Sequence, residues 1–159
     1  MEIEKKFEVV KIPSNLDQYP KKEIIQGYLC TNPVVRIRKS NENYILTYKN
    51  KKGISQENAI MNDEIEMMLN EDAFTHLMNK VDYNVIEKTR YLIPLKQGYI
   101  AELDIFHGKL EGLYFAEVEF PSEEEAIAFN KPDWLGVDIS KDRRFGNSHL
   151  ARLSSAKEL

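Results

Sequence analysis

Apolar and polar residues alternate along most of the chain. "EIEKKFEVV" sets Glu2, Glu4, Lys6 and Glu8 against Ile3, Phe7 and Val9, the period of a strand with one charged and one mostly apolar face. The same period predicts strands over residues 2–10, 22–30, 34–39, 43–49, 55–68, 85–95, 99–106 and 113–120, all rich in Ile, Val, Tyr and Phe. "KNKKG" reads as a turn, "KQG" as the connection of an antiparallel hairpin, and "HGKLEG" as a link between the next two strands. Three stretches carry helical signals instead. "NEDAFTHLMNKV" offers Asn70 as N-cap, acids in its first turn, and Phe74, Leu77, Met78 and Val81 on one face. "PSEEEAIAFNK" is capped by Ser122, and "NSHLARLSSAKEL" by Asn147 or Ser148. "KPDWLGVDISKDRRFG" reads as irregular, with Trp134 as a packing anchor.

Antiparallel strands with a few short helices predict an α+β, mainly antiparallel β architecture. About eight strands suffice to close a barrel, which removes exposed edges. At 159 residues the chain is expected to form a single domain over 1–159.

Charge changes this picture. Pairs of like sign recur at strand spacing: Glu2 with Glu4, Arg36 with Arg38, Glu64 with Glu66, Lys88 with Arg90, Glu102 with Asp104, Glu117 with Glu119. One such pair is ordinarily a wet strand face. A wet face mixes signs, however, because like neighbours repel; here both signs occur, segregated by strand. Clustered carboxylates suit hard cations such as Mg²⁺ or Mn²⁺, and clustered Arg and Lys suit phosphate or carboxylate. A metal-chelated polyphosphate satisfies both. If the helices cover the apolar face of the sheet, the charged face lines the bore of the barrel.

The remaining composition narrows the reading. A net charge of −4 argues against non-specific nucleic-acid binding. The single cysteine, Cys30, forbids an internal disulfide and points to a cytoplasmic location. The charged amino terminus does not read as a signal peptide, and no apolar run approaches membrane-spanning length. His76, His107 and His149 have no zinc-site spacing, and there is no P-loop and no nucleophile triad pattern.

The opening "EIEKKF" resembles the glutamate-x-glutamate-x-lysine signature of the CYTH superfamily, the triphosphate tunnel metalloenzymes, with Glu2, Glu4 and Lys6 in its three positions. "QGYL", "VRIRK", "YILTYK", "DEIE", "EKTRY", "AELDIF", "AEVEF" and the closing "DISKDRRFGNSHLA" follow in the order of that family, so the resemblance spans nearly the whole chain. It implies a closed eight-stranded barrel with a charged tunnel, and metal-dependent hydrolysis of a triphosphate. The chain looks most like the short bacterial enzymes that cleave inorganic tripolyphosphate to diphosphate and phosphate. The same resemblance admits a class-four adenylyl cyclase or a thiamine triphosphatase; a non-catalytic polyphosphate- or nucleotide-binding module is the alternative of another class.

Carried over by position, Glu2, Glu4 and Glu119 resemble the primary metal ligands. Glu117, Glu64, Glu66, Glu102 and Asp104 would hold a second Mg²⁺ or Mn²⁺ ion or its waters. Lys6, Arg36, Arg38, Lys49, Lys88, Arg90 and Arg144 would clamp phosphate oxygens, Arg143 being the weaker choice of that pair. Lys6, Lys88, Glu66 and Asp104 are the expected catalytic groups. Crowding among the cations is expected to lower the pKa of a lysine. The expected partner is a small-molecule triphosphate, with no nucleic acid and no membrane; homodimers are common in the family.

Overall fold

The structure, a computed structural model, describes residues 1–54 and 59–159. Its strands are β1 Glu2–Val9, β2 Lys21–Thr31, β3 Val34–Ser40, β4 Asn43–Ile54, β5 Ile60–Leu69, β6 Asp82–Pro94, β7 Ile100–Phe106, β8 Tyr114–Phe120 and β9 Leu135–Asp138. The helices are α1 Glu71–Met78, α2 Glu123–Ala128 and α3 Asn147–Leu150.

One antiparallel sheet runs β5-β4-β3-β2-β6-β7-β8-β1-β9. It closes on itself because β1 also pairs with β5, with Glu2 opposite Asn62, Ile3 opposite Met61 and Glu4 opposite Ile60. The expected eight-stranded barrel is therefore present, with β9 added along β1 through Phe7–Asp138 and Val9–Leu135. Over most of the bore's length the apolar residues of the strands point outward. Ile3, Phe7, Ala101, Leu103, Ala116, Val118 and Phe120 form a core outside the barrel wall with Ala126 of α2. Phe129 packs beneath it, 5.1 Å from Phe120 and 5.8 Å from Tyr99 between ring centroids. On the other side α1 covers β3 and β4, with Phe74 against Tyr44 at 5.1 Å. Asn70 caps α1 by accepting from the Ala73 N–H, and Ser122 caps α2 by accepting from that of Glu125.

The inward rows change character along the axis. Glu119 and Glu117 lead to Phe115, Glu102 and Asp104 to Phe106, Arg90 and Lys88 to Ile86, and Lys22 and Gln26 to Tyr28. Tyr28, Ile86, Phe106 and Phe115 join Leu150 and Leu153 in a second core that stops much of one end of the bore.

Three expectations are corrected, and a fourth lies partly outside the described residues. "KNKKG" is not a turn: β4 runs through it to Ile54, and a register shift between Lys51 and Gly53 absorbs the glycine. The strand expected from residue 55 is described only from Ile60, and residues 55–58 lie outside the described residues. The "irregular" segment contains β9 and a 3₁₀ turn at Arg143–Phe145. The last helix ends at Leu150, and α3 seals the end of the barrel where it was expected to pack on the outside.

Candidate active site

The unstopped part of the bore is a cavity of about 440 Å³. Glu2, Glu4, Glu117 and Glu119 form one wall, from the adjoining strands β1 and β8. Arg36 and Arg38 of β3 and Lys49 of β4 face them, with Arg90 of β6 at the side. Glu64, Glu66, Glu102 and Lys6 also line it, Glu66 and Glu119 being exposed. The period of two thus brings nearly all the expected residues into one chamber, acids opposite cations.

Close contacts bind the two signs together. Lys49 Nζ lies 2.9 Å from Glu2 Oε1 and 3.2 Å from Glu64 Oε2. Asn62 Nδ2 donates to Glu2 Oε1 at 3.2 Å. Lys6 Nζ donates to the Phe145 carbonyl at 2.7 Å and stands 3.9 Å from Glu117 Oε1. Arg90 Nη1 reaches Glu102 Oε2 at 3.1 Å. Arg38 Nε donates to Gln26 Oε1 at 3.2 Å, and Arg36 lies against the Tyr28 hydroxyl. Among the described residues neither Arg36 nor Arg38 has a carboxylate partner, and the buried Arg36 Nε, Gln26 Nε2 and Thr47 Oγ1 have no hydrogen-bond partner.

Lys88 and Asp104 are placed differently from expectation. Neither lines the cavity, and neither side chain has any exposed surface. Both oxygens of Asp104 are taken: Oδ1 by Arg90 Nε at 2.7 Å, Oδ2 by Arg90 Nη2 at 2.9 Å and by Lys88 Nζ at 2.8 Å. Both Asp104 oxygens are engaged by cations, Asp104 and Lys88 stand buried behind the cavity wall, and Asp104, itself held by Lys88, positions Arg90. Arg144 lies apart from the tunnel. Its side chain is 59% exposed, pairs with Asp142 at 2.6 Å, and lines no part of the tunnel.

The electrostatics follow from this crowding. Burial, Glu117 and Glu2 raise the Glu4 carboxyl well above its ordinary value. Burial pushes Glu117 the same way, but Lys6, Arg90, Lys88 and a hydrogen bond from Glu4 outweigh it and hold Glu117 low. Burial lowers Arg38 to about 9, with Arg36 and Arg90 adding to the effect, so it stays charged at neutral pH. The expected lowered lysine is Lys88, brought down to about 7 by burial.

The acidic wall offers hard carboxylate oxygens from Glu2, Glu4, Glu117 and Glu119 on two adjoining strands, and this chemistry fits a divalent ion. Among the described residues no three such ligands stand within reach of one ion as the side chains lie. Gln26 was not anticipated. Its only signal is position: an uncharged polar residue in "QGYL", on the same strand face as Ile24 and Tyr28.

A closed antiparallel barrel whose bore opposes carboxylates to guanidinium and ammonium groups is of the triphosphate-tunnel class. No protein-family model matches the chain. It is 36% identical over 154 residues to the inorganic triphosphatase of Nitrosomonas europaea, covering 94% of this chain and 96% of that one. It is 36% identical over 131 residues to the inorganic triphosphatase of Acetivibrio thermocellus, covering 80% and 78%. The crystal structure of the inorganic triphosphatase NE1496 superposes with a TM-score of 0.70 at 33% identity, over 98% of this chain and 97% of the other. The chain belongs to the inorganic triphosphatase family.

Proposed function

We propose that the protein hydrolyses inorganic triphosphate to diphosphate and phosphate inside the tunnel, with Mg²⁺ or Mn²⁺. The observation that carries this reading is Arg36, which lines the cationic wall of a chamber whose other wall is acidic and whose buried Nε has no partner among the described residues. A polyanion satisfies the first wall and its chelated cation the second. The family relatives named above support the same substrate.

Arg36, Arg38 and Arg90 offer planar donors to phosphate oxygens, and Lys6 and Lys49 offer point charges. Phosphoryl transfer requires mainly positioning and offset of developing charge, which these groups supply. Asp104 and Lys88 fix the Arg90 fork in place from below. Glu2, Glu4 and Glu119, with Glu117, Glu64 and Glu102 beside them, would hold one or two ions; the ion supplies Lewis acidity toward phosphate and water. Lys49 then exchanges carboxylate partners for phosphate. The acidic wall also offers the attacking water a proton acceptor. Among the described residues no helix is long and apolar enough to cross a membrane, and the free thiol of Cys30 supports a cytoplasmic setting.

Phosphate release from tripolyphosphate, with ATP in parallel and with Mg²⁺ or Mn²⁺ added, tests the reading. Metal-dependent release is expected from tripolyphosphate. Glu4→Ala should abolish it, and Arg36→Ala should lower kcat/KM by about 10–100-fold, the loss of one charge-assisted hydrogen bond. Tight binding of tripolyphosphate with no release would leave a binding module.

A further inference from the structure

A second cavity, of about 520 Å³, adjoins the tunnel. Lys6, Lys51, Gly146 and Ser148 line both, so the two meet beside the turn that leads into α3. The apolar stopper of Tyr28, Phe106, Phe115 and Leu150 closes the rest of that end, which makes the Lys6–Lys51 side the way through.

The second cavity is strongly cationic. Lys51, Lys141, Arg143 and Arg152 line it. Asp142 is the acid on its described wall, and Arg144 already neutralises it, by Nη2 at 2.6 Å and Nε at 3.0 Å to its two oxygens. Among the described residues Lys51, Lys141, Arg143 and Arg152 form no salt bridge. Arg152 is steadied without being neutralised, reaching Thr31 Oγ1 at 3.4 Å and lying 4.3 Å from the Tyr83 ring centroid. A single solvated lysine requires no explanation. Four cations without an ion-pair partner among the described residues, converging on one cavity in a chain of net charge −4, run against the charge of the molecule as a whole.

We propose that this cavity is a second anion subsite, taking the phosphates of a linear polyphosphate longer than triphosphate as they pass Lys6 out of the tunnel. The inference rests on the triphosphate reading of the tunnel. Each phosphate beyond the clamped ones carries a further negative charge toward Lys51, Lys141, Arg143 and Arg152. These side chains are exposed, so each contact is weak, screened by salt and independent of metal. The subsite therefore shows itself as affinity that rises with chain length, not as a second reaction.

The test is calorimetric binding of tripolyphosphate and of linear decaphosphate to the full chain, at low salt with chelator present. Three proteins are compared: the parent, Lys141→Gln/Arg143→Gln, and Lys80→Gln/Lys96→Gln. The last makes the same charge change on exposed residues that line neither cavity. A longer chain also gains by offering the tunnel more registers, but that gain is the same in all three proteins. The expected result is a gain of about 10-fold for decaphosphate over tripolyphosphate in the parent and the control, falling to about 2–3-fold in Lys141→Gln/Arg143→Gln. Tripolyphosphate affinity stays equal in all three. A gain that survives in Lys141→Gln/Arg143→Gln, or falls equally in the control, overturns the subsite. Failure of tripolyphosphate to bind once Mg²⁺ replaces the chelator overturns the triphosphatase reading and the subsite with it.

Discussion

Lys88 carries an ammonium with no exposed surface, held by Asp104 at 2.8 Å and lying 5.4 Å from the Phe106 ring centroid. Burial lowers its pKa from 10.5 to about 7; Asp104 resists the fall, and Arg90 and Arg38 add to it. Between those two values the unfolded chain binds the proton that the folded chain has released. This residue's contribution to stability therefore rises with pH across the window, and is smallest below it. Melting the parent and Lys88→Met side by side should show the difference shifting toward the parent as pH rises from about 7 to 10.5. A flat difference would mean that Lys88 holds its proton when folded. The same residue marks what alternation can say. Period two places Lys88 and Asp104 on the charged face with Arg90 and Glu102, as the structure has them. It gives no depth along the bore, and one step further in, Asp104 has neither solvent nor a free oxygen.

Among the described elements, α3 is the shortest α-helix, four residues, yet it supplies Leu150 to the stopper at no exposure. Leu150→Ala should cost about 2–5 kcal/mol, the range for truncating a fully buried leucine. Chemical denaturation reads this directly; a loss well under about 1 kcal/mol would show that α3 is not seated in the barrel end. The eight barrel strands were legible because each turns one face to the bore and the other away from it, with α1 packed on β3 and β4 and α2 on β1 and β8, so alternation runs through all of them. β9 was not: "LGVD" is too short to show a period, and its place is set by pairing with β1. The extension of β4 was hidden because "KNKKG" has the composition of a turn, and only pairing with β5 keeps it extended. α3 was overdrawn because the apolar residues after it, Leu153 among them, meet the stopper from a coil.

For the whole molecule, the two walls of the tunnel are electrically interdependent. Lys49 is held between Glu2 and Glu64, and Lys6 stands near Glu117, so neither wall is free of the other until both charges of a ligand arrive. Thermal stability should therefore respond cooperatively. Tripolyphosphate alone and Mg²⁺ alone should each raise Tm modestly, and together by more than the sum, with about 2.7 kcal/mol of stabilisation when the complex is at 100 times its Kd. Strictly additive shifts would show that the walls bind independently.

The seam of the barrel runs along β1, whose neighbours β5 and β8 lie far along the chain. Glu2, Glu4 and Lys6 stand on that seam. Pairings of such long separation carry the largest loop-closure entropy, so they form late. An open sheet can already have Arg36 and Arg38 aligned on β3, while the acids that face them are still apart. During refolding, circular dichroism will thus regain its β signal before phosphate release returns. Activity in this protein is a clock for ring closure.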